Sequence, residues 1–254
     1  MTRIHILGGT AEARALAAAL AARKDLAVTL SLAGRTAEPL PQPVPVRSGG
    51  FGGAEGLADY LRAERIDLLI DATHPYAAAI SANAAEAARA SGIRLLALRR
   101  PPWRKVRGDS WIEVETMEQA VCALGEAPRR VFLALGRKEL RPFESAPQHV
   151  YLVRSVDPVD PPLAVPHAIY LTARGPFSED EDRALIERHG IETIVAKNSG
   201  GEATYGKIAA ARARHVPVIM LKRPKLPAAE SVATVDEAMA WLDHAVTFSA
   251  ARGV

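Results

Sequence analysis

The chain has 254 residues, of which 48% are hydrophobic and 24% charged, and its formal net charge is +3. These proportions are typical of a folded protein and exclude intrinsic disorder, and the length favours two domains. The positive charge is too mild to indicate a nucleic-acid-binding protein without a concentrated basic face, and it equally suits an anionic small molecule.

The sequence also gives expectations about the compartment. The single cysteine, Cys122, lies in the amphipathic pattern MEQAVCALGEA, where we expect a buried residue with neither a disulfide nor a metal partner. Residues 4–7 are apolar only over strand length, and no apolar run is long enough to cross a membrane. We therefore expect a cytoplasmic protein with no metal, no membrane partner and no nucleic acid.

Continuously apolar stretches alternate with helix-like stretches in the first half of the chain. The predicted strands are residues 4–7, 27–32, 44–47, 68–72 and 95–98, and the predicted helices are AEARALAAALAAR, GAEGLADYLRAER and AAAISANAAEAARASG. Continuous rather than alternating apolar strands predict a parallel sheet with helices on both faces.

The second half repeats this organisation. Its predicted strands are residues 131–135, 150–153, 169–172, 194–196 and 218–221, and its predicted helices are EDEDRALIERHG and TYGKIAAARARH. Landmarks recur after about 125 residues: LGGTAE matches LGRKEL, VRSGGF matches TARGPF, and VETMEQA matches VATVDEA, with Thr116 and Thr234 as expected N-caps. We predict an α/β protein of two related Rossmann-like domains, 1–108 and 109–254, whose parallel sheets face each other across a cleft. Chance similarity of two generic α/β units is the alternative.

A glycine turn follows the first predicted strand. Gly8 and Gly9 allow a phosphate to approach backbone N–H groups at a helix N-terminus, and Thr10 adds a hydroxyl. A tight turn that needs glycine for packing explains the same residues.

The end of the second strand bears on cofactor choice. Residues Ser31, Gly34, Arg35 and Thr36 occur there without a carboxylate before Glu38, which favours NADP(H) over NAD(H). A solvated arginine in a turn is the alternative. Arg47, at the end of the third strand, is a further candidate for binding the cofactor.

The fourth strand ends in DATHPYA, at the edge where open α/β sheets bind ligands. Thr73, His74 and Pro75 are therefore candidate site residues, although a lone histidine is more often structural. The role of Asp71 stays ambiguous.

Cations mark the corresponding positions of the second half. Lys197, Asn198, Ser199 and Gly200 form a turn that resembles an anion cradle, and Lys207 follows in the next helix, but the order of a P-loop is not met. Arg137 and Lys138 replace the glycine turn. The basic run RRPPWRKVR predicts a solvated loop joining the domains, with contact to a carboxylate-rich ligand or to nucleic acid as the alternatives.

Several of these stretches together resemble a known family. ILGGTAEARAL, VRSGGFGGAEGLADYL, LLIDATHPYAAAISANAAEA, GRKEL, RGPFSEDEDRALI, VAKNSGGEATYGKIAAAR and PVIMLKRP look like the precorrin-6A reductase family of cobalamin biosynthesis, in order over nearly the whole chain. The resemblance implies that NADPH reduces one carbon–carbon double bond of the precorrin-6A macrocycle to give precorrin-6B.

With this reaction in view, the candidate residues receive roles as a hypothesis. The cofactor residues would be Gly8, Gly9, Thr10, Ser31, Gly34, Arg35, Thr36, Arg47, Thr73 and Pro75; the catalytic residues would be His74 and Lys197; and a tetrapyrrole with several carboxylates would be bound by Arg137, Lys138, Asn198, Ser199, Gly200 and Lys207. The oligomeric state stays open, a monomer being plausible. A non-catalytic protein that binds an anionic ligand and a sugar-nucleotide glycosyltransferase remain as alternatives.

Overall fold

The computed structural model describes residues 1–34 and 38–251, with residues 245–251 described by their backbone alone. The strands are β1 (Thr2–Leu7), β2 (Leu26–Leu32), β3 (Val46–Ser48), β4 (Leu68–Asp71), β5 (Arg94–Leu98), β6 (Trp111–Val114), β7 (Arg130–Ala134), β8 (Val150–Ser155), β9 (Ala168–Thr172), β10 (Thr193–Lys197), β11 (Val218–Leu221) and β12 (Glu230–Val232). The helices are α1 (Ala11–Ala21), α2 (Ala54–Ala63), α3 (Ala78–Ser91), α4 (Met117–Leu124), α5 (Glu179–His189), α6 (Gly206–Ala213) and α7 (Val235–Ala251).

These strands form two parallel sheets of the same design. Sheet 1 has the order β3-β2-β1-β4-β5-β12, and sheet 2 has the order β9-β8-β7-β10-β11-β6. Central strands such as β4 and β11 are buried along their whole length, as expected when helices cover both faces. Each order is that of a dinucleotide-binding Rossmann sheet. The predicted class, α/β with two Rossmann-like parallel sheets, is confirmed.

The sixth strand of each sheet comes from the other half of the sequence. β6 follows β5 in the chain but pairs with β11, and β12 follows β11 but pairs with β5. The chain therefore forms two compact units, one of Met1–Pro101 with Pro224–Val254 and one of Pro102–Arg223. The predicted domains, 1–108 and 109–254, divide the chain once, whereas these units divide it twice. The matching landmarks VETMEQA and VATVDEA lead into α4 and α7. The strands that precede these helices are β6 and β12, and each of them pairs in parallel with the edge of the sheet from the other half of the sequence.

The exchanged helix α7 contributes to the core of the first unit. Its Ala238 and Leu242 are buried in one apolar cluster with Leu16 and Leu20 of α1 and with Ile4 of β1. The final helix therefore stabilises the sheet on which the glycine turn lies.

Local signals specify the helix ends better than they specify burial. Thr116 and Thr234 accept from Gln119 N and Glu237 N, so both predicted N-caps are confirmed. The prediction that Cys122 is buried is wrong, because α4 buries Ala120 and Leu124 and the cysteine lies on the opposite, exposed face. In the part of the chain that the structure describes, no helix has the length and apolarity that a bilayer crossing requires.

The strand exchange predicts which sheet is destabilised when a leucine of α7 or α4 is replaced by alanine. Leu242 of α7 is 1% exposed and Leu124 of α4 is fully buried. Replacing either leucine by alanine should cost about 2–5 kcal/mol of unfolding free energy. Native-state hydrogen exchange should accelerate in β1 and β2 for Leu242→Ala, but in β10 and β11 for Leu124→Ala. Each variant is the control for the other, and acceleration in the opposite sheet would contradict the assignment of the helices.

Candidate functional site

The glycine turn lies where β1 ends, beside the end of β4. Gly9 has φ +111°, a conformation that favours glycine, and a Cβ added to it would meet no atom within 4 Å. A Cβ on Gly8 would lie 3.0 Å from a methyl carbon of Leu30, and Gly8 N donates to Ser31 O at 2.9 Å. Gly8 is therefore explained by packing, whereas Gly9 leaves the backbone open before α1, as an anion site requires.

Thr10 connects the two central strands of sheet 1. Its hydroxyl accepts from Ala13 N at 3.0 Å as the N-cap of α1, and it donates to Ala72 O at 2.8 Å in the loop after β4. The threonine thus fixes the start of α1 against that loop.

The loop after β4 is organised by Asp71. This buried carboxylate accepts from Thr73 N at 3.1 Å and from Thr73 Oγ1 at 2.7 Å through one oxygen, and from Ser81 Oγ at 2.6 Å through the other. The ambiguous aspartate is therefore a support that holds Thr73 and α3 in place.

His74 and Pro75 form the rest of this loop. His74 Nδ1 accepts from Tyr76 N at 3.3 Å, which leaves the proton of the neutral ring on Nε2. His74 O accepts from Ala77 N at 2.7 Å, and Pro75 is buried. The structure thus brings Thr73, His74 and Pro75 together with the glycine turn at one edge of sheet 1.

Two other cofactor candidates have structural partners. Ser31 is buried and its hydroxyl lies 3.0 Å from His5 Nε2, inside the unit rather than at the edge. Arg47 donates to Gly49 O at 2.8 Å and to Gly50 O at 3.0 Å, and its guanidinium lies 4.0 Å from the centre of the Phe51 ring. Gly34 has φ +68° and is exposed. Arg35 and Thr36 lie outside the described residues.

His5 is a buried polar residue that the sequence analysis did not single out. The ring is fully buried on β1, with Thr29 Oγ1 2.8 Å from its Nδ1. Burial, assisted by the charge of Arg47, lowers the pKa of His5 to about 4. The only signal for it was a histidine within an apolar strand.

The edge of sheet 2 is built differently where β7 and β10 end. Residues 137–139 form a short 3-10 turn in place of an α-helix after a glycine turn. Arg137 lies 3.3 Å from an oxygen of Asp157, Lys138 is exposed, and Lys197 Nζ lies 3.1 Å from Glu139 Oε1. The structure brings Arg137, Lys138 and Lys197 to this edge as predicted, together with Glu139 and Asp157, which the sequence analysis did not select.

The turn after β10 is fixed by two distant segments. The Asn198 side chain accepts from Trp103 N at 2.8 Å and donates to Trp103 O at 3.0 Å, and the Trp103 indole donates to Gly201 O at 2.8 Å. Arg223 donates to Asn198 O at 2.8 Å and to Ser199 O at 2.9 Å. Asn198 therefore holds the turn, while Ser199 is only half-buried.

The two remaining substrate candidates are buried. Gly200 adopts φ +67° in the interior of that turn. Lys207 is buried under Trp103, and its Nζ donates to Thr204 O and lies 4.9 Å from the centre of the indole ring. Burial lowers the pKa of Lys207 to about 7, with a smaller contribution from Arg154 in the same direction. The structure thus places the Lys207 ammonium inside the unit and not at the sheet edge.

Comparison with known proteins identifies the family. A family model described as "Precorrin-6x reductase CbiJ/CobK" matches residues 3–243. This chain belongs to the precorrin-6x reductase family. A precorrin-6A reductase of Sinorhizobium is 55% identical over 95% of this chain and 93% of its own, and one of Rhodobacter capsulatus is 49% identical over 97% and 98%. The solved structure of CobK precorrin-6A reductase has a TM-score of 0.92 and 48% identity, covering 96% of this chain and 97% of that one. The resemblance drawn from the sequence motifs is confirmed.

The buried His5 makes the stability of this family member depend on pH in a defined window. The folded pKa lies near 4 and the unfolded value near 6.5, so only the unfolded chain takes up the proton in between. Stability should therefore fall as the pH decreases from 6.5 to 4, by about 3 kcal/mol for this group.

His5→Gln, which keeps polar atoms but does not titrate, should lack that part of the pH slope in denaturant-unfolding curves. Carboxylates titrate in both proteins, so the difference between the two slopes isolates the histidine. Equal slopes for parent and variant would contradict the prediction.

Proposed function

We propose that this member of the precorrin-6x reductase family uses NADPH to reduce one carbon–carbon double bond of precorrin-6A, giving precorrin-6B. The observation that carries the proposal is the edge of sheet 1. There a Rossmann strand order, an open Gly9 turn and a helix N-terminus coincide in a chain that belongs to a reductase family.

The residues of this edge fit a dinucleotide phosphate. Gly9 presents backbone without a side chain, and Thr10 holds the N-terminus of α1 in place. The described end of β2, residues 31–34, carries no carboxylate to bind a ribose 2′-hydroxyl, which favours the 2′-phosphate of NADPH. In this proposal Gly9, Thr10, Gly34, Arg35 and Thr36 bind the cofactor, Gly8 allows the close packing of the turn against Leu30, and Ser31 and Arg47 support the strands beside them.

The loop after β4 is proposed to hold the reactive end of the cofactor. NADPH supplies the hydride when bound. Thr73 and Pro75 would shape the nicotinamide site, because Asp71 and the turn into α3 fix their backbone. His74, whose Nδ1 accepts from Tyr76 N, is the proposed hydrogen-bond donor through its Nε2, and solvent supplies the proton that balances the hydride.

The edge of sheet 2 is proposed to bind the tetrapyrrole. The tetrapyrrole substrate carries several carboxylates, and this edge supplies the cations of Arg137, Lys138 and Lys197. Lys197 is the proposed catalytic cation, which stabilises electron density that the hydride brings to the macrocycle. Ser199 can reach a ligand from the same turn, whereas Asn198, Gly200 and Lys207 act by supporting it.

Cofactor choice is tested by titrating the protein with NADPH and, separately, with NADH, followed by nicotinamide fluorescence. NADPH should bind more tightly, and Arg35→Ala should weaken NADPH about tenfold, or ~1.4 kcal/mol, while leaving NADH unchanged. Arg62→Ala, an exposed arginine on α2, is the matched control and should change neither affinity. Equal affinities for both nucleotides in the parent would contradict the assignment. Binding of a UDP-sugar instead would favour the transferase alternative.

The reaction is tested by following NADPH oxidation with precorrin-6A as substrate. His74→Ala and Lys197→Ala should each lower kcat/KM by more than about tenfold, because both remove a group that acts in the transition state. The exposed residues His167 and Lys24 provide the controls, and their alanine variants should match the parent. If His74→Ala and Lys197→Ala both stay within about twofold of the parent, the assignment of catalytic residues fails. Tight substrate binding without NADPH oxidation would favour the non-catalytic alternative.

A further inference from the structure

An ion pair joins the two central strands at the edge of sheet 2. Lys197 is the last residue of β10, and Glu139 lies in the 3-10 turn that follows β7. β7 and β10 are neighbours in sheet 2, with Ala134 opposite Ala196. The chain continues from β7 to one side of the sheet and from β10 to the other, so the ion pair lies at the point where the strand order reverses. The atoms Nζ and Oε1 are 3.1 Å apart, and the two side chains are 16% and 29% exposed.

The turn that carries Glu139 is shaped around its carboxylate. Glu139 N donates to Gly136 O at 3.0 Å, and the following residue, Leu140, is buried and anchors the turn. A Cβ on Gly136 would lie 2.4 Å from Glu139 Oε2. Gly136 has φ −76°, which any residue adopts, so the backbone does not require glycine. A methyl group at this position would instead displace the Glu139 carboxylate, the far end of a flexible side chain.

The pairing changes what Lys197 can offer a ligand. A lysine ammonium carries three N–H donors, and one of them is directed to Glu139. The charge of the pair is balanced, and the long lysine side chain loses less freedom on binding because it is already held. A balanced, fixed ammonium suits hydrogen bonding to a neutral acceptor of the macrocycle, while an exposed cation such as Lys138 suits a carboxylate.

We propose that Glu139 is a positioning residue that holds the Lys197 ammonium at the edge of sheet 2, in space kept open by Gly136. This inference rests on the proposed role of Lys197 in reduction. Glu139 acts through Lys197. Its carboxylate orients the ammonium, but it also balances the positive charge of the lysine and so weakens the attraction for an anionic substrate.

Steady-state kinetics separate positioning from general stability. Glu139→Gln should lower kcat about tenfold without raising KM, because the lysine is held by a weaker, neutral acceptor while a negative charge near an anionic substrate disappears. Gly136→Ala should have the same effect, since its backbone stays unstrained and only the carboxylate is displaced. Glu139→Asp should restore part of kcat. A rise in KM with kcat unchanged would overturn the proposal.

A double-mutant cycle tests whether the effect passes through the lysine. In a Lys197→Ala background, Glu139→Gln should change kcat less than about twofold. An undiminished effect there would overturn the proposal while leaving the reductase function in place. If Lys197→Ala alone has no effect, both the positioning role and the catalytic role of Lys197 fail.

Chemical labelling of the purified protein gives a readout that needs no activity. An amine-reactive reagent, quantified by mass spectrometry, should label Lys197 more slowly than the exposed Lys138, because the bound ammonium must first leave Glu139. Glu139→Gln should raise the Lys197 rate several-fold and leave Lys138 unchanged. An unchanged Lys197 rate would overturn the proposal whatever reaction the protein catalyses.

Discussion

The parallel pairing of each sheet's two central strands determines where chemistry can be placed in this chain. Because β1 and β4 run in the same direction, Leu7 lies opposite Asp71, and the loops that follow both strands begin side by side. The bond from Thr10 to Ala72 is possible only in that arrangement. The same constraint in sheet 2 brings Glu139 and Lys197 together. The same strand arrangement therefore places a helix N-terminus at the ends of the central strands in one unit and an ion pair at the corresponding position in the other.

Because the sixth strands are exchanged, the chain crosses between the two units twice. Trp103 follows the first crossing and Arg223 precedes the second, and both bind the turn at residues 198–201. Without β12 the edge of β5 would present unpaired N–H and C=O groups, which favours association with other chains. The residues near Lys197 are thus held by the segments at which the chain passes from one unit to the other.

Apolar strands and helix caps were readable from the sequence, while long-range partners were not. Residues 4–7 and 68–72 were predicted as strands because continuous apolar runs reflect burial on both faces. β6 and β12 were not predicted, since both are short and lack such a run, β6 being half-exposed and β12 mostly exposed.

The candidate site was predictable at its strand ends and less so at single side chains. The positions of Gly9 and His74 followed from where strands stop. The hydroxyl of Ser31 faces His5 because successive side chains alternate across a sheet, and no local pattern fixed which face it took. Asn198 bonds to a residue 95 positions away, and Lys207 is buried although lysine is almost always exposed.

The two edges differ in how they treat charge. Where β1 and β4 of sheet 1 end, the predicted ligand groups are backbone amides and neutral side chains, and the buried carboxylate of Asp71 fixes the loop after β4. In sheet 2 the cations of Arg137 and Lys197 lie against Asp157 and Glu139, so much of their charge is balanced within the protein. Fixed, partly balanced cations orient a ligand more than they attract it, whereas exposed cations raise association rates and are screened by salt. If this edge binds the tetrapyrrole as proposed, it discriminates by the positions of acceptors on the ligand rather than by its total negative charge.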